Sequence, residues 1–283
     1  MTIFLSYIIY FILTTANTLQ RRFVIKKKDA PAVEQINFAF EVMIVLVLAS
    51  IVMQFFSPLY FAGDNLRLIM LSLVCGVFGM GYFILNFIAQ KHVDVGVSNI
   101  LLNISTPIII ILSSLFLNEG LSNIQIGGTA LLLVSIFLIS KKHRIGRFSF
   151  DKYFWFMILS GVSVSVLLVA ERALQVQTGL TAATMLSWVS QAFFLGLATL
   201  ILKSKHTYTH KEVLTTGVLQ VCSSMSYVVL LFIVGNLSLI SSITTFKIVT
   251  VFIGAALFLG EREDMGRKIF GSIVAVIGLL LMK

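Results

Sequence analysis

Lys247 stands near the middle of residues 241–261, SSITTFKIVTVFIGAALFLGE, a run otherwise almost entirely apolar or small. A charge at the centre of a lipid-spanning helix costs about 2.5–3.5 kcal/mol on insertion scales. Such a residue turns toward a partner or a wet cavity, where its ammonium attracts an anionic or carboxylate-bearing solute. Thr244, Lys247, Thr250 and Gly254 fall within about a 120° sector at helical spacing, giving the lysine a polar face. The competing reading is a structural pair with a buried carboxylate.

The carboxylates that could meet it begin with Glu34 and Glu41, which recur with Asn37 as a polar stripe on one helix face. Glu34 is expected at the interface and Glu41 deeper. Two roles stay open for Glu41: a proton carrier or gate, or a fixed partner of Lys247. Asn99, Asn103 and Thr106 share another face. Pro107 has no N–H for the carbonyl of Asn103, so that oxygen is freed on an already polar surface. This suits a solute site in a kinked helix as well as it suits hydrogen bonds between helices.

Gln220, Ser223, Ser224 and Tyr227 form a further stripe, and Cys75, Gly76, Gly79 and Tyr82 another. The small residues read as close helix packing; Tyr82, Tyr227 and Gln220 read as cavity lining. Trp188 and Gln191 can stack on and hydrogen-bond a ligand, or simply pack. Asn17 and Gln20 in the first span are weaker candidates. Glu171 and Arg172 near one end of a span read as a solvated interfacial pair or as a gate. Glu119 and Glu261 sit at helix ends, where each meets the positive start of the next helix. The four histidines lie between spans, and the two cysteines, Cys75 and Cys222, lie inside apolar runs as packing residues. No cluster has zinc-ligand spacing. We expect no catalytic residues, no metal and no cofactor.

The elements that position these residues follow from hydropathy. Of 283 residues 58% are hydrophobic and 12% charged, a composition outside the soluble range. At about 20 residues per span, ten helices emerge at 3–20, 33–56, 66–90, 95–117, 122–140, 153–174, 181–202, 211–234, 237–259 and 266–282. The first reads as a retained span, not a signal peptide. Runs this long and continuously apolar exclude a barrel. The net charge of +9 does not signal nucleic acid, because the basic residues sit in short connections. Seventeen of the 21 Lys and Arg fall in alternate loops, including Arg21, Arg22 and Lys26–Lys28 in the first. Positive-inside sorting makes those loops cytoplasmic and both termini external.

The chain also repeats. Leu115-Phe116-Leu117-Asn118-Glu119 and Leu257-Phe258-Leu259-Gly260-Glu261 lie 142 positions apart, each followed by a Gly-bearing apolar helix. An odd number of spans per repeat inverts the second copy. The fold expected is therefore an all-α integral membrane protein of ten transmembrane helices in two inverted five-helix repeats. Residues 1–140 form the first, 141–152 a basic linker and 153–283 the second. Inverted repeats place a solute site near the bilayer midplane.

Residues 107–119 (PIIIILSSLFLNE), their echo at 249–261 (VTVFIGAALFLGE) and the Gly-bearing helix after each resemble the EamA-type, ten-helix branch of the drug/metabolite transporter superfamily. The likeness spans essentially the whole chain. Val249 stands where the first copy has Pro107, so the two halves are expected to bend differently. The resemblance implies a multi-pass cell (inner) membrane protein, not an enzyme. It would move a small metabolite by alternating access as an exporter or exchanger, with proton coupling or exchange. An amino acid, a sugar derivative and an organic anion all remain open as substrate. Its partners would be the bilayer and that solute. The sequence holds no GxxxxGK[ST] phosphate loop for a self-contained ATP-driven pump. The alternative is an integral membrane enzyme acting on a lipid-linked substrate, which would need a His/Asp/Ser constellation at one membrane face.

Overall fold

The computed structural model describes residues 2–28, 30–55, 57, 59–61, 64–92, 101–140, 152–258 and 265–282. Every regular element among them is helical: α1 Thr2–Lys28, α2 Ala32–Met53, α3 Asn65–His92, α4 Ser105–Leu117, α5 Asn123–Ser140, α6 Lys152–Ile201, α7 His210–Val234, α8 Leu237–Thr244, α9 Lys247–Phe258 and α10 Met265–Leu281. Five of these, α1, α2, α3, α6 and α7, are long and apolar enough to cross a membrane, and α4, α5 and α10 with the α8–α9 segment are shorter apolar helices.

Helix boundaries depart from the hydropathy reading in two places. The expected sixth and seventh spans are continuous in α6, whose 50 residues are interrupted only at Gly179, φ 76° and ψ −174°. Laid straight, such a helix would reach about 75 Å, more than twice a bilayer core. Instead it doubles back. Tyr153 stacks on His92 at one end of the bundle, and Arg172 reaches Glu119 and Gly235 at the other. Beyond Gly179, Gln54 meets Met185 and Ser204 returns to the carbonyl of Val33. Only glycine adopts the φ at residue 179 without strain.

The expected ninth span is broken into α8 and α9 at Thr245–Phe246, and the chain turns likewise at Asn103–Ile104 before α4. The two breaks are 142 residues apart, so both copies of the repeat bend at the same register. This corrects the expectation that they would bend differently. The second break needs no proline, because the Thr244 and Thr245 hydroxyls both bond back to the carbonyl of Ser241, a side-chain competition that bends helices. The breaks meet: Thr106 and Thr245 share a hydrogen bond of 2.9 Å.

Packing interleaves the chain. The broadest contacts are α3 on α6, α5 on α10, α2 on α6 and α1 on α7. Gly76 and Gly79 let α6 approach α3; a Cβ at Gly79 would lie 2.3 Å from Gln191, and one at Gly76 2.4 Å from Phe194. Gly128 and Gly278 do the same for α5 and α10. Apolar clusters surround the bundle centre without filling it. One joins Phe38, Phe87, Leu195 and Tyr208, and another Tyr10, Ile109, Leu230 and Ile240. Large apolar side chains such as Phe4, Ile12, Phe193, Leu200 and Phe270 face outward, as a lipid-facing surface requires.

Candidate functional site

A cavity of about 220 Å³ lies between the helices, lined from α1, α2, α3, α4, α6, α7, α8, α9 and the turn before α4. Helix α1 contributes Tyr10, Thr14, Asn17, Thr18 and Arg21, one stripe at helical spacing. Its hydroxyls and amides are tied to α7: Thr14 to Ser223 at 2.8 Å, and Asn17 Nδ2 donating to Gln220 Oε1 at 2.8 Å. Gln220 in turn donates to Ser224 at 3.0 Å. On the facing wall Gln191 donates to Ser187 at 2.8 Å, with Trp188 beside it in the lining.

Most expected site residues converge here. Lys247, Thr244, Asn103, Thr106, Tyr82, Tyr227, Trp188, Gln191, Gln220 and Glu171 all line the cavity. The Lys247 ammonium forms no hydrogen bond or ion pair with the described residues; its electrostatic neighbours are Tyr82 and Arg21. Glu171 is 4% exposed with Oε1 unpartnered. It lies within range of Tyr227, whose ring is 5.9 Å from that of Tyr10. The expected solvated pair of Glu171 and Arg172 does not form. Both are buried, and Arg172 turns away to Glu119.

Three other expectations fall elsewhere. Thr250 faces α1, bonding Thr15 at 2.7 Å, and its hydroxyl donates to the Lys247 carbonyl at 2.8 Å. Glu41 does not pair with Lys247. It accepts from Asn37 at 2.7 Å and meets His206 Nδ1 at 2.5 Å in a cleft at the Lys28 end of the bundle. Arg172 donates to Glu119 Oε1 at 2.8 Å and to the Gly235 carbonyl at 2.6 Å, while Leu237 N donates to Glu119 Oε2 at 2.7 Å. This latch joins α6 to the α4–α5 and α7–α8 turns. Asn99 and Glu261 lie outside the described residues.

Arg21 and Gln90 are among the cavity residues that escaped the sequence reading, with Tyr10, Thr14, Thr18 and Thr245. Arg21 looked like one more positive-inside charge. Its visible signal was spacing: it continues the Tyr10–Thr14–Asn17 stripe. Asn17 Oδ1, Arg21 Nε, Gln90 Oε1, Glu171 Oε1 and the Tyr227 hydroxyl are buried without a protein partner, and each residue lines the cavity. Buried polar atoms are normally satisfied, so their concentration around one cavity marks a surface built to meet water or a solute. Among the described residues no group of three His, Cys, Asp or Glu could hold a metal.

The sequence of residues 2–141 matches the model of the EamA-like transporter family. Those residues belong to the EamA-like transporter family. The long apolar helices agree with the multi-pass membrane protein that this match suggests. A solved crystal structure superposes with a TM-score of 0.72 at 13% identity, covering 98% of this chain and 97% of the other. At that identity the likeness establishes the fold alone. No curated protein matches the sequence.

Proposed function

We propose that the protein is a secondary transporter that carries a small, charge-bearing metabolite by alternating access. The observation that supports this best is the cavity. Its unpartnered polar atoms come from both halves of the chain and stand inside an otherwise apolar bundle, where an unmet polar group costs about 1–3 kcal/mol. On this reading the hairpin at Gly179 counts as two crossings and α8–α9 as one broken crossing, giving ten in two inverted halves. The matched breaks at Asn103 and Thr245 favour that count. Basic loops then place the Lys28 end in the cytoplasm and both termini outside. Lys247 serves as the principal solute contact. Glu171, not Glu41, serves as the carrier of a coupled proton, because it shares the cavity with Lys247 while Glu41 is engaged by His206. Export or exchange follows from the superfamily.

The test is counterflow in proteoliposomes across a panel of amino acids, sugars, phosphorylated sugars and organic anions. Lys247→Ala is expected to abolish flux of the transported solute while the protein remains folded in the membrane. Wild-type flux in that variant would refute the central role of the cavity.

A further inference from the structure

Arg21 is 6% exposed on the inward stripe of α1. Its guanidinium carbon lies 5.2 Å from the centroid of the Phe87 ring, a cation–π contact that holds the group beside the ring. Arg21 Nε is buried without an acceptor. Lys247 approaches the same wall from α9 and repels Arg21 across it. Among the described residues the one carboxylate in the lining, Glu171, neighbours Tyr227 instead. Two cations therefore line one cavity with no carboxylate of the described residues paired to either. Like charges in such surroundings destabilise each other, and an anion that both can reach reverses the sign of the interaction.

We infer that Arg21 and Lys247 jointly bind one oxyanion of the transported solute, a carboxylate or a phosphate monoester. This rests on the transporter reading above and names its substrate class. The roles divide by chemistry. Arginine offers a planar fork of N–H donors that matches two oxygens of one group, whereas lysine offers a point charge. The helices they come from are themselves joined by the Thr15–Thr250 hydrogen bond, so the two donors stand on a braced pair of helices. Because α1 and α9 belong to opposite halves of the chain, the bound anion crosses the seam between them.

The chain has two tryptophans. Trp155 is half exposed on the outer surface of α6, and Trp188 is 3% exposed on the cavity wall. In a Trp155→Phe background Trp188 reports binding directly. Purified full-length protein in a non-ionic detergent is titrated at constant ionic strength with sodium acetate, methyl phosphate and choline chloride. We expect saturable change in Trp188 emission with acetate or methyl phosphate and none with choline. The anion that saturates at the lower concentration names the group. Arg21→Gln should weaken anion binding about 10- to 100-fold, the range for a lost charge-assisted hydrogen bond, and Arg21→Lys should recover part of it. If Arg21→Gln fails to fold, Arg21→Lys and Lys247→Gln carry the same comparison. Equal anion affinity in Arg21→Gln and wild type overturns the inference. So does saturation by choline alone. Counterflow by the Trp155→Phe protein separates the two layers: solute transport without anion binding removes the inference and leaves the transporter, while absence of any counterflow removes the transporter reading itself.

Discussion

Removing Arg172 tests whether the latch at the Gly235 end of the bundle holds the fold together. The side chains of Arg172 and Glu119 are 10% and 12% exposed, so the pair lies largely out of water. Truncation to alanine deletes the 2.8 Å contact to Glu119 Oε1 and the 2.6 Å contact to the Gly235 carbonyl. It leaves a carboxylate with one remaining donor, Leu237 N. Breaking a buried pair by removing one partner costs about 3–5 kcal/mol. Glu119→Ala should cost a similar amount, since it strands the guanidinium. The double change Arg172→Met with Glu119→Leu should cost less than the sum of the singles, because neither charge is then left alone. Denaturant titration in mixed micelles gives the free energies, and the cycle closes on the coupling. Single variants within about 0.5 kcal/mol of wild type, or a double variant equal to the sum, would refute the reasoning.

Two further substitutions probe the packing. Tyr208 is 1% exposed and stacks on Phe38 with centroids 4.1 Å apart, yet its hydroxyl has no partner. Tyr208→Phe should therefore stay within about 0.5 kcal/mol of wild type or gain stability, while Tyr208→Ala should lose about 3–5 kcal/mol. Equal effects in thermal melts would show that the ring does not carry the contact. A Cβ on residue 278 would lie 2.8 Å from the Gly128 carbonyl, so Gly278→Ala should cost about 1–3 kcal/mol by overpacking; an unchanged melting temperature would mean that α5 and α10 separate freely.

The helical class was legible because apolar runs of this length admit little else. Lys247 was legible for the same reason: one charge in a lipid-length run must be accommodated. What hydropathy could not show was phase. Thr244 and Thr250 share a sector on an ideal helix, but the break at Thr245–Phe246 parts them, and Thr250 meets Thr15 on α1. Arg21 was obscured by a rule that is right on average, since a basic residue at a span end is usually solvated. Long-range pairing was out of reach. Both Glu119 and Arg172 were noticed, and neither could be assigned to the other across 53 residues. Glu41 was diverted because residues 203–209 fold back over α2, where Tyr208 docks and Thr207 donates to Glu34.

That strap constrains any motion. With α2 bound both to α6 and to the segment preceding α7, and with α3 bedded along α6, the N-terminal and C-terminal halves of the chain are woven together. They cannot swing as the two blocks their gene order suggests. Under the alternating access proposed above, the moving bodies would each draw helices from both halves of the polypeptide. The joints available to them are the paired bends at Asn103 and Thr245, which touch one another across a single hydroxyl contact.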